Sequence, residues 1–167
     1  MKRPLIVAIA PAALAVIAAG CGGASSTPSA AGGAAYGAAA ATAKPATASV
    51  STAHTKLGRV LVDGHGRTLY LFEKDKGATS SCYGACAAVW PPLTAHGQAM
   101  GGTAIVPAKL ATSRRTDGTA GITYGGHPLY TYAGDTKPGD VKGQGLDQFG
   151  GEWYVVGPNG HKIDEDR

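Results

Sequence analysis

Two copies of one short pattern constrain this chain more than any other feature. Leu69-Tyr70-Leu71-Phe72-Glu73-Lys74-Asp75 and Leu129-Tyr130-Thr131-Tyr132-Ala133-Gly134-Asp135 both read Leu-Tyr-x-aromatic-x-x-Asp. Each follows a turn rich in Gly and His, and each precedes a tryptophan, Trp90 or Trp153. Self-similarity at a fixed spacing implies duplicated units that bury their faces against each other. Side chains alternate along a strand, so Tyr70 and Phe72 share one face, as do Tyr130 and Tyr132. Those faces and the two tryptophans are the expected core.

The flanking residues favour short strands. Val60-Leu61-Val62 and Thr68–Phe72 surround Asp63-Gly64-His65-Gly66. Ile122-Thr123-Tyr124 and Leu129–Tyr132 surround Gly125-Gly126-His127-Pro128. Both have the form of a β-hairpin. A further strand, Trp153–Val156, runs into the turn Gly157-Pro158-Asn159-Gly160. A short helix is expected over Cys82–Val89, capped by Ser80 or Ser81 and stopped by Pro91-Pro92. The fold class is mainly β: a small duplicated antiparallel domain at 56–167, with repeats at about 57–97 and 112–162.

These residues carry a resemblance. Gly66–Tyr70, Ser81–Cys86, Val89–Pro92, Arg115–Thr119, Pro138–Asp140, Gly143–Gly145 and Trp153–Val156 occur in order around the two motifs. The chain resembles the predicted bacterial lipoproteins defined by a repeated Tyr-x-(Phe/Trp/Tyr)-x-x-Asp motif, a secreted repeat of unknown function. The resemblance implies an envelope location and a duplicated small β domain, and it supplies no reaction.

The N-terminus agrees with export. Lys2 and Arg3 precede a charge-free apolar run from Leu5 to Ala19, a signal-peptide pattern. The run is short for a membrane span and contains Pro11. It ends in Ala18-Ala19-Gly20-Cys21, which resembles a lipobox, although Ala18 stands where Leu is more usual. The expectation is a signal peptide at 1–20 and a diacylated Cys21 anchoring the chain to membrane lipid at the outer face. A plainly secreted protein is the alternative. From 21 to about 55 the chain is nearly all Ala, Gly, Ser, Thr and Pro, which reads as a disordered tether. An Ala-rich helix there is opposed by Gly32, Gly33, Gly37 and Pro45. The formal charge is +4 with no basic stripe, so no nucleic-acid partner is expected.

Four groups of residues bear on chemistry. With Cys21 acylated, Cys82 and Cys86 are the remaining pair, and in an oxidising compartment a structural disulfide is the first reading. A redox-active or metal-binding pair is the second. His65, His96, His127 and His161 sit in Gly-rich turns, where exposed turn residues are ordinary. A sharper reading lets His65 and His127 converge with the cysteine sulfurs on a soft metal ion, copper or zinc. Asp75 and Asp135 close the motif and Asp140 follows; each suits a turn cap better than a calcium loop or an acid–base pair. No nucleophile motif occurs, so the chain reads more as a non-catalytic binding or envelope-structural module than as an enzyme. The alternatives are a redox or metal-handling protein using Cys82 and Cys86, and a hydrolase. No cofactor is expected.

Overall fold

The computed structural model describes residues 48–164. The signal segment, Cys21 and most of the expected tether lie outside the described residues. In chain order the elements are β1 (Ser49–Thr55), β2 (Gly58–Asp63), β3 (Tyr70–Phe72), α1 (Ala85–Val89), β4 (Met100–Gly101), β5 (Leu110–Arg114), β6 (Ala120–Tyr124), β7 (His127–Pro128), β8 (Leu146–Asp147) and β9 (Glu152–Val155). Among the described residues they form three three-stranded sheets with orders β2-β1-β4, β3-β9-β8 and β5-β6-β7. Among the described residues the domain is mainly β with one short α-helix, as the sequence predicts.

Each repeat opens with an antiparallel hairpin. β1 and β2 pair from Val50↔Asp63 to Thr55↔Gly58, and β5 and β6 pair from Leu110↔Tyr124 to Arg114↔Ala120. The first hairpin corrects the tether boundary. Residues 49–55 were expected to lack structure, yet they form a strand and bury Val50 completely. Sequence composition is poor evidence here because β2 supplies most of the apolar surface that the pair buries. The pairing of β4 with β1 is parallel, at Ser49↔Met100 and Val50↔Gly101, so the sheets are not wholly antiparallel.

The two turns before the motifs behave differently. Gly125 and Gly126 both have positive φ, 60° and 87°, which is the backbone that a two-residue hairpin requires. β6 and β7 accordingly pair at Tyr124↔His127. The first turn is longer, and β2 meets the next segment through the Val62↔Thr68 bridge, with Asp63 N–H bonded to the Arg67 carbonyl and Leu69 N–H to the Leu61 carbonyl. β3 then leaves that hairpin and pairs with β9, at Tyr70↔Val155, Leu71↔Tyr154 and Phe72↔Trp153.

That departure reveals how the repeats are joined. Val156 accepts from Leu61 N–H (2.8 Å) and donates to the Leu69 carbonyl (3.1 Å). Leu93 donates to the Leu129 carbonyl (2.8 Å) and accepts from Ile122 N–H (2.8 Å). The segment after each tryptophan therefore hydrogen-bonds to the strands of the other repeat. At the centre Tyr70 and Tyr130 exchange both backbone bonds, at 2.9 and 3.0 Å. The arrangement has approximate two-fold symmetry about that pair.

β2 and β3 are buried on both faces, so their alternate side chains enter two cores. Val60, Val62, Tyr70, Phe72, Cys82, Cys86, Trp90, Tyr130, Val141, Trp153 and Val155 make one. Leu61, Leu69 and Leu71 join Val50, Ile122, Tyr124 and Leu129 in the other. The helix is shorter than expected. Its N-cap is Gly84 at φ 56°, a left-handed backbone that serine disfavours, so neither Ser80 nor Ser81 caps it. Cys82 lies before the helix and Cys86 within it, joined by a disulfide with Cα atoms 5.3 Å apart.

Candidate functional site

The motif residues form a connected set of polar and aromatic groups. In both copies a tight turn follows the strand, closed by Asp75 N–H to the Phe72 carbonyl (3.0 Å) and Asp135 N–H to the Tyr132 carbonyl (3.1 Å). Each turn brings its carboxylate back toward the centre, where it meets the phenol of the opposite repeat. Tyr70 donates to Asp135 Oδ2 at 2.6 Å, and Tyr130 donates to Asp75 Oδ2 at 2.6 Å. The second oxygen of each carboxylate fixes the next loop. Asp75 Oδ1 accepts from Ser81 N–H (2.7 Å) and its hydroxyl (2.8 Å), and Asp135 Oδ1 accepts from Lys142 N–H (3.0 Å). Burial above all, then the carboxylate partner, pushes both phenols well above the ordinary tyrosine range.

The aromatic positions repeat the exchange. Phe72 stacks on Trp153 of the other repeat at 4.0 Å between centroids, and Tyr132 stacks on Trp90 at 4.4 Å. The two indoles stack on each other at 4.0 Å and 5°. The result is one row, Phe72–Trp153–Trp90–Tyr132. Tyr70 meets Trp90 edge-on at 5.3 Å, and Tyr130 meets Trp153 edge-on at 5.1 Å. Both indole N–H groups donate to Gln148, Trp90 to its side chain (2.9 Å) and Trp153 to its carbonyl (3.1 Å).

One polar element escaped the sequence. Arg115 is 4 % exposed, and nothing in the pair Arg114-Arg115 says which member is inside. Its guanidinium donates to Ser80 Oγ (2.6 Å), the Cys82 carbonyl (2.9 Å) and Asp117 Oδ2 (3.1 Å). It also lies 4.4 Å over the Tyr83 ring. Ser80 Oγ is 2.7 Å from the Tyr130 oxygen. Tyr130 has one proton and gives it to a carboxylate that can only accept, so Ser80 donates to Tyr130. The relay runs Arg115, Ser80, Tyr130, Asp75, from cation to anion through two hydroxyls. In the other repeat the N–H of Gly143 takes the serine's place, donating to Tyr70 at 3.3 Å.

The remaining candidates are dispersed. The Cys82 and Cys86 sulfurs are bonded to each other inside the core. The His65 side chain is exposed, 3.7 Å from Asp63. His127 lines a cleft of about 450 Å³ with His161, Glu73, Asp75, Lys162, Leu71 and Phe72. His65 and His127 therefore line different surface depressions. Among the described residues no three His, Cys, Asp or Glu side chains come together in a metal-binding group. Asp140 does act as a turn cap, with Oδ2 accepting from Thr136 N–H (3.0 Å). A Lys142 ammonium beside it, its main hydrogen-bond partner, holds this carboxyl below the usual range.

Comparison with known proteins gives a family match. A family model described as "Secreted repeat of unknown function" fits residues 51–94 and 111–157, more than half of the chain. The two matched segments follow the two structural units, from the opening hairpin to the segment after each tryptophan. No curated protein and no solved structure matches.

Proposed function

We propose that this chain, which belongs to the family of secreted repeats of unknown function, is a lipid-anchored, non-catalytic module of the cell envelope. It is an extracytoplasmic protein, and the acyl chains on Cys21 hold it at the outer membrane face. The string Ala18-Ala19-Gly20-Cys21 after a charge-free apolar run supports the anchor. Acyl burial is worth roughly 0.8 kcal/mol per methylene, so two chains suffice for a small domain.

The observation that carries the non-catalytic reading is the reciprocal use of the motif. Both phenols and both carboxylates are already partnered, each across the repeat boundary. A general acid or base needs a free position toward substrate, and these groups are engaged with one another. The cleft beside Asp75, lined also by His127, His161 and Lys162, offers a polar surface to a partner.

Metabolic labelling with a palmitate analogue tests the anchor: wild type should be labelled and Cys21→Ala should not. Equal labelling of both would remove the anchor from the account. Incubation of the purified full chain with chromogenic esters, glycosides and phosphoesters should release no chromophore. Turnover that Asp75→Asn abolishes would make the motif catalytic.

A further inference from the structure

The stacked row has a chemical property that a core of aliphatic side chains lacks. Three of its four rings, Trp153, Trp90 and Tyr132, are readily oxidised by one electron, and they are spaced 4.0 and 4.4 Å apart. Phe72, which resists oxidation, closes the row on the side of the His127 cleft. Tyr132 is half-buried and ends the other side. Two further oxidisable rings, Tyr70 and Tyr130, sit edge-on to the two indoles, and each holds its own proton acceptor at 2.6 Å. The indoles and both phenols are wholly buried.

We infer that the row is a one-electron relay that admits oxidising equivalents at Tyr132 and stores them on Tyr70 or Tyr130. The electron acceptor is a one-electron oxidant of the extracytoplasmic space, a radical or a high-potential metal complex. It removes one electron at Tyr132 or Trp90, and the vacancy passes along the stacked indoles. Tyr70 or Tyr130 fills it with an electron of its own. In the same step its O–H bond breaks and the proton forms an O–H bond with Asp135 or Asp75. The products are a neutral phenoxyl radical and a neutral carboxylic acid, and the proton stays within the existing hydrogen bond. A one-electron reductant later returns the electron, and the proton goes back to the phenol.

The energetics favour this stopping point. An indole radical cation in this core is a buried charge, which is costly unless compensated. Proton transfer along a bond that already exists removes both that charge and the carboxylate's. Backbone N–H donors hold each carboxylate in place before and after, Ser81 for Asp75 and Lys142 for Asp135. The relay is independent of lipidation and of any ligand in the cleft.

Laser flash-quench oxidation of the full chain with a ruthenium polypyridyl sensitiser tests the relay. Transient absorption should show the indole radical giving way to a phenoxyl radical, more slowly in fully exchanged D2O than in H2O. In Asp75→Asn/Asp135→Asn the conversion should slow by about tenfold or more, since the acceptor is lost. Tyr132→Phe, a change that keeps the stack, should slow the first appearance of the indole radical. Wild-type protein needs no substitution for the isotope measurement, so that arm stands even if the double variant misfolds. Conversion with no solvent isotope effect, or unchanged in a folded double variant, would overturn the inference. An indole radical that never converts would do the same.

Discussion

Gly143→Ala adds one methyl group where the interlocked repeats leave no room. A Cβ built there lies 2.7 Å from Trp90 Cη2, 2.9 Å from Tyr70 Cε1 and 3.0 Å from Trp90 Cζ3. Neither ring can yield alone, because Trp90 is held between Trp153 and Tyr132 and Tyr70 is bonded to Asp135. Gly143 is not in the left-handed region, so the backbone accepts alanine without strain. Overpacking of this kind costs roughly 1–3 kcal/mol. The stiffer unfolded chain returns about 0.4–1 kcal/mol. The net loss should be up to about 2.6 kcal/mol, with a lower Tm than an unstrained Gly→Ala control and altered near-ultraviolet circular dichroism from the indole pair. Gly97→Ala is the control, since a Cβ there meets nothing within 4 Å. If Gly143→Ala melts like Gly97→Ala with an unchanged spectrum, the packing described for the tryptophan row is wrong.

Intact-mass analysis with and without reductant should show a two-proton difference for Cys82 and Cys86. Replacing both with serine should cost about 2 kcal/mol by the short-loop entropy term; free thiols or a bound soft metal would restore the redox or metal reading. Tyr70 and Tyr130 should stay protonated above about pH 10, where ordinary tyrosines ionise. Because the folded state raises both phenols, stability is full below that pH and is lost as pH rises toward their folded values. Absorbance titration should show these two phenols ionising only as the fold is lost; ionisation in the intact protein would contradict their burial. Limited proteolysis should leave a fragment that retains Ser49–Thr55, and an equally stable fragment beginning after Thr55 would remove β1 from the folding unit.

The sequence carried the duplication, because Leu-Tyr-x-aromatic-x-x-Asp places the same alternation of side chains in both copies. It carried the burial of Tyr70, Phe72 and Tyr130 for the same reason. It did not carry the exchange between repeats. Alternation decides which face a side chain occupies and says nothing about which strand lies beside it. Trp153–Val156 therefore looked like the end of its own repeat, although β9 pairs with β3 of the other. The strand Ser49–Thr55 was hidden by having Val50 as its single large apolar residue. The helix start shifted because Gly84 adopts a left-handed conformation that two serines nearby do not signal. Arg115 was invisible, since its burial depends on Ser80 and the Cys82 carbonyl, both more than 30 positions away.

A double-mutant cycle on the motif tests the interlock most directly. Tyr70→Phe and Asp135→Asn, singly and together, should show a coupling energy of roughly 0.5–3 kcal/mol in chemical denaturation, as residues in direct contact do. Tyr130→Phe with Asp75→Asn should give a similar value. Tyr70→Phe with Asp75→Asn, two members of one motif, should be additive. Coupling within each motif, and none across the repeats, would contradict the fold's reciprocal exchange of phenol and carboxylate.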